Sequence, residues 1–143
     1  MERPIGVTIL AVLEFIGAGF LILLGLLLLV GMGMLGAMGG GGEGGRFLGV
    51  LGALGAAAGV VVIIVAALPL AIGIGLWKLK NWARILVIIF ATIGALGNTA
   101  RVIFGLSSGE MHNVVGGIVG LGIQALILWY MFQPHVKQAF GAG

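Results

Sequence analysis

The sequence predicts an all-α, polytopic membrane protein: a four-transmembrane-helix bundle with glycine-rich, close helix packing. Three observations predict it. Hydrophobic residues make up 61% of the chain and charged residues 8%, where a soluble domain carries roughly 25% charged residues. Apolar runs of membrane-crossing length alternate with short polar or glycine-rich turns. The chain also contains 29 glycines in 143 residues, about three times the usual frequency of roughly 7%. At about 20 residues per span, this length holds four spans in a single membrane domain, 1–143. No room remains for an extramembrane enzyme.

The first span is expected over about 5–36, after Glu2-Arg3-Pro4, with Pro4 suited to a first helical turn where its missing N–H costs nothing. The run is too long for the apolar core of a cleaved leader and is interrupted by Glu14, so the first helix is expected to remain as a span. Gly39–Gly45, six glycines around Glu43, reads as a flexible loop, because each glycine costs a helix about 1 kcal/mol relative to alanine. It lacks the strand, Lys and Ser or Thr of a phosphate loop. The second span, 47–77, is longer than a hydrocarbon layer of about 30 Å requires, so it must tilt, kink or protrude, with Pro69 as the kink point. Lys78-Leu79-Lys80-Asn81 makes a short polar turn, the third span covers about 82–104, and the fourth 114–132. The tail, 133–143, carries Val136, Ala139 and Phe140 at i, i+3 and i+4, an apolar face for the membrane surface or a partner helix.

With four spans, Arg3, Lys78, Lys80, Arg84 and Lys137 share one side of the membrane and Arg46 and Arg101 the other. The positive-inside rule then places both termini in the cytoplasm. Trp77, Trp82, Trp129 and Tyr130 fall at the same boundary, where aromatic side chains anchor in the headgroup layer. Lys78, Lys80 and Arg84 there meet anionic headgroups. The basic excess of +3 is thus a topology signal. Its scattering at span ends excludes a nucleic-acid stripe.

Three small-xxx-small faces allow close backbone approach, within one subunit or between subunits: Gly55 with Gly59, Ala91 with Ala95, and Gly116 with Gly120. Four short helices enclose little volume for a transport path. The composition therefore favours a homo-oligomer or packing against other membrane subunits.

Glu14 is the one ionisable side chain between Ile5 and Met38. It lies about ten residues, or about 15 Å, into its helix, near mid-membrane, where an acid must be paired, protonated or functional. Gln124, six to eight positions before Tyr130 and Phe132, is expected at similar depth, facing Glu14. Arg84 is the alternative partner, since arginine can snorkel along a helix. Such a cluster is either an interhelical polar clamp, worth about 1 kcal/mol, or an ion site. Thr92, Asn98, Thr99 and Arg101 form an outer polar patch on the third span, with Asn98 and Arg101 on one face. The patch is either a site open to the exterior or a set of residues that snorkel and cap, with Glu110 near Arg101 at the surface.

No metal or other cofactor is expected. Cysteine is absent, His112 and His135 fall on opposite sides of the membrane, and Met32, Met34 and Met38 lack an accompanying His or Cys for copper. No second acid, base or nucleophile matches Glu14, so the chain is not expected to be an enzyme.

Gly73-Ile-Gly-Leu-Trp-Lys-Leu-Lys-Asn-Trp-Ala-Arg84, Tyr130-Met-Phe-Gln-Pro-His-Val-Lys-Gln-Ala-Phe-Gly141 and Arg3-Pro-Ile-Gly-Val-Thr8 cover about a third of the chain. Together they resemble a group of small prokaryotic four-span membrane proteins with no assigned activity. The resemblance implies four-helix topology with a basic central turn, in a prokaryotic cell membrane, and carries over no catalytic residue. The expectation is a non-enzymatic membrane protein acting by assembly, as a homo-oligomer or accessory subunit. The alternative is a small proton- or cation-linked transporter or channel using Glu14.

Overall fold

The computed structural model describes residues 2–142. The chain is 87% helical and, among the described residues, has no strand. Its helices are α1 (Ile5–Ala37), α2 (Glu43–Trp77), α3 (Asn81–Ser108), α4 (Met111–Met131) and a short α5 (Pro134–Ala139). The first four are each long and apolar enough to cross a membrane, which makes this an all-α, multi-pass membrane protein of the class the sequence predicts.

Three boundaries lie beyond the expected ones, the simplest being that α4 starts at Met111, three residues before the expected 114. Helix α2 starts at Glu43, inside the glycine run. Its acidic side chain in the first turn suits the positive end of the helix dipole, and the long apolar helix behind it propagates through Gly44 and Gly45. Glycine is needed at position 45 because the Gly40 carbonyl occupies the space a Cβ would fill. Helix α3 continues to Ser108, four residues into the 105–113 interval left between the third and fourth expected spans. Ser107 and Ser108 turn their hydroxyls back to the Phe104 carbonyl at 2.9 and 2.8 Å, and the helix stops only at Gly109, whose φ of 73° supplies the left-handed cap. Helix α2 runs unbroken through Pro69.

The chain forms two compact units. One comprises residues up to Leu10 and from Ile74 onward; the other is Ala11–Gly73. In both, small side chains are buried, among them Ala11, Ala18, Ala66, Ala83 and Ala91, while large ones such as Phe20, Leu27, Leu54, Ile64, Leu96 and Phe104 are exposed. This reverses the pattern of a soluble domain and suits a lipid surround, where helices associate through small residues that permit close backbone contact.

In the Ala11–Gly73 unit, α1 and α2 meet through glycines. A Cβ on Gly59 would stand 2.6 Å from both the Gly25 carbonyl and the Leu29 amide, and one on Gly36 would stand 3.1 Å from the Gly52 Cα. At Gly55 the neighbour is instead the Met32 side chain.

All four of the largest fully buried side chains, Val7, Leu76, Met131 and Val136, belong to the other unit. They gather the start of α1, the end of α2 and the tail. The α2–α3 turn is tight: Leu79 adopts φ 52°, and the Lys80 amide donates to the Gly75 carbonyl at 2.8 Å, in the six-to-one pattern of a helix end. Glycine at position 75 lets Ala83 and Trp82 of α3 close over the end of α2. Helix α5 packs on its own chain, with Val136 and Phe140 buried. That settles the tail's apolar face, which the spacing alone left to the membrane surface or a partner.

Candidate functional site

Helices α3 and α4, in one unit, meet along a seam on which polar side chains stand over glycines of the opposite helix. Gln124 of α4 lies over Gly94 of α3, where a Cβ would come within 2.6 Å of its Nε2. Asn98 of α3 lies over Gly120 of α4, where a Cβ would stand 2.6 Å from its Oδ1. Arg101 passes over Gly116, where a Cβ would stand 3.7 Å from its Cζ. The register follows from sequence spacing: Gly94, Asn98 and Arg101 step by four and three along α3, while Gly116, Gly120 and Gln124 step by four along α4. Gly117 also belongs to the seam: a Cβ there would stand 2.9 Å from the Asn98 carbonyl. The Gly116 and Gly120 face is thus occupied within the chain by α3. Ala91 is buried and Ala95 half-buried.

At the end of the seam, Arg101 Nε donates to Asn113 Oδ1 at 3.4 Å, and Asn113 Nδ2 donates to Glu110 Oε2. The expected nearness of Arg101 and Glu110 is therefore mediated by Asn113. Sequence reasoning missed that residue, although its position three after Glu110 at a helix start was the available signal. Thr92 and Thr99 direct their hydroxyls to the carbonyls of Ile88 and Ala95, at 2.8 and 2.9 Å, which satisfies them within α3. The Asn98 and Gln124 amides are half-buried and form no hydrogen bond among the described residues.

The same unit holds the basic and aromatic residues of the central turn and tail. Arg84 is its one buried charged side chain, and its Nε donates to the Met131 carbonyl at 2.9 Å. The hydrogen bond caps the C-terminal end of α4, where a cation also meets the negative end of the helix dipole. Arg3 stands 4.8 Å from the Trp77 ring. Trp77, Trp82 and Trp129 are exposed, as are Lys78 and Lys80. Tyr130 is half-buried; its hydroxyl accepts from the Gly6 amide at 3.1 Å, tying the start of α1 to the end of α4, and its ring meets His135 edge-on at 5.8 Å.

Glu14 belongs to the Ala11–Gly73 unit, and Gln124 and Arg84 to the other. It is half-buried, with its Cβ against Gly73. Within that unit, among the described residues, its carboxyl makes no hydrogen bond or ion pair.

No family model, curated protein or solved structure matches this chain.

Proposed function

We propose that this is a non-enzymatic integral membrane protein that acts by assembly, as a homo-oligomer or as an accessory subunit of a larger membrane complex. The observation that carries the reading is a set of half-buried polar side chains on membrane-length helices. Glu14 has no partner in its own unit, and the Asn98 and Gln124 amides are likewise unbonded. Polar groups in hydrocarbon seek interhelical hydrogen bonds. The glycine faces at Gly59, Gly94 and Gly120 are already taken by neighbouring helices of the same unit, so association would rest on these polar groups. Pairing of Glu14 with Gln124, within one chain or between two, belongs to the same proposal. The excess of basic residues at the central turn and tail supports cytoplasmic termini, and the resemblance of those segments to a group of small prokaryotic membrane proteins supports a prokaryotic cell membrane.

The unpaired carboxyl also favours a second reading, a proton- or cation-linked transporter or channel using Glu14. Substitution separates the two. Under the assembly reading, Glu14→Leu reduces the particle in mild detergent to a single chain, and Glu14→Gln, which still hydrogen-bonds, keeps it assembled. An unchanged particle in Glu14→Leu removes Glu14 as an association contact. Loss of ion flux in Glu14→Gln with assembly intact establishes the transporter.

A further inference from the structure

We propose that Arg84, Lys137 and Phe132 form a discrete site for the phosphate of an anionic phospholipid headgroup. Arg84 is buried, 7% exposed, and its one hydrogen bond runs from Nε to the Met131 carbonyl. Its Nη groups make no hydrogen bond among the described residues, and neither carboxylate of its unit, Glu2 or Glu110, pairs with it. No buried side-chain nitrogen or oxygen lacks a hydrogen-bond partner among the described residues, so the unbonded Nη groups reach the surface, where an anion can meet them; the partial negative charge of one helix end offsets only part of the guanidinium charge.

A second cation packs against the same aromatic ring. Arg84 Cζ lies 5.9 Å and Lys137 Nζ 5.5 Å from the centroid of the Phe132 ring, so two positive charges share one aromatic side chain, and neither makes an ion pair among the described residues. Arg84 is held in place by Met131, and Lys137 by α5, whose Val136 and Phe140 are buried. The pair is thus fixed by tertiary structure, unlike the exposed Lys78 and Lys80. Arg84 lies in the first turn of α3 and Lys137 on α5, just after α4; the ends of helices of membrane length are where lipid phosphates stand. Guanidinium and ammonium groups are the usual donors to phosphate oxygens, and the Phe132 ring, 53% exposed, offers an apolar wall for the glycerol and upper acyl chain.

The test is native mass spectrometry of the full-length protein in detergent, titrated with dioleoyl phosphatidylglycerol or dioleoyl phosphatidylcholine. One phosphatidylglycerol is expected to bind at least tenfold more tightly than phosphatidylcholine. Lys137→Ala should weaken it about fivefold, the factor for one cation at an anionic surface, while Lys78→Ala with Lys80→Ala leaves it nearly unchanged. Arg84→Gln should weaken it further; because Arg84 also caps α4, the half-buried Lys137 carries the decision if that variant does not fold. Equal binding of the two lipids overturns the site, as does a loss in the Lys78 and Lys80 variant as large as that in Lys137→Ala. Displacement of the lipid by millimolar inorganic phosphate overturns the choice of lipid as the occupant.

Discussion

Gln124 of α4 stands directly over Gly94 of α3, so close that a single methyl group on Gly94 would enter the space of its amide. The contact fixes how these two helices approach, and glycine is what makes room for it.

Adding bulk at Gly94 should therefore cost stability. Gly94→Val must displace Gln124, and overpacking of this kind costs about 1–3 kcal/mol. Gly97, three residues on, is exposed with nothing within 4 Å of its Cβ position. Gly97→Ala should be neutral or stabilising, by up to about 1 kcal/mol. Unfolding by SDS titration in mixed micelles measures both. Equal effects would mean that the seam does not pack as described.

The α1–α2 contact gives a sharper comparison. At Gly59 the obstruction is backbone, the Gly25 carbonyl and the Leu29 amide, whereas at Gly55 it is the flexible Met32 side chain. Gly59→Ala should destabilise by about 1–3 kcal/mol because the helices themselves must part. Gly55→Ala should cost less than half as much, since methionine adapts. The same titration ranks them.

The tail should behave as a docked element. Phe140→Ala removes a buried aromatic side chain from beneath α5, at about 3 kcal/mol. Tryptic cleavage after Lys137, on that helix, should then accelerate about a hundredfold if local opening controls it. An unchanged rate would show that α5 is not held by Phe140.

Much of the fold is legible in the sequence because membrane-length apolar runs leave few alternatives. Four spans and the turn at Lys78–Lys80 follow from composition and spacing. The misplaced ends are those where glycine or serine read as a breaker. Gly105 looked like the start of a loop, yet it lies inside α3 because the Val114 amide stands 2.9 Å from its Cβ position. Ser107 and Ser108 extend the helix by bonding back to Phe104. Neither effect can be read from one strand of sequence, since each depends on what the neighbouring turn or helix supplies.

The site is less legible for the same reason. Gln124, Asn98 and Arg101 stood out by polarity, but the glycine opposite each depends on the register between α3 and α4. Asn113, which links Arg101 to Glu110, was hidden as an ordinary loop residue. Arg84 was conspicuous as a cation near a span end. Its bond to the Met131 carbonyl required the fold to bring residues 84 and 131 together.

If the protein works in assembly, the mass of the intact particle extracted in mild detergent from its own membrane shows it at once. The particle is expected to be heavier than one chain: either a multiple of 14.5 kDa, giving a homo-oligomer, or a mass that includes other protein, giving an accessory subunit. A particle containing a single 14.5 kDa chain and no other protein would contradict it.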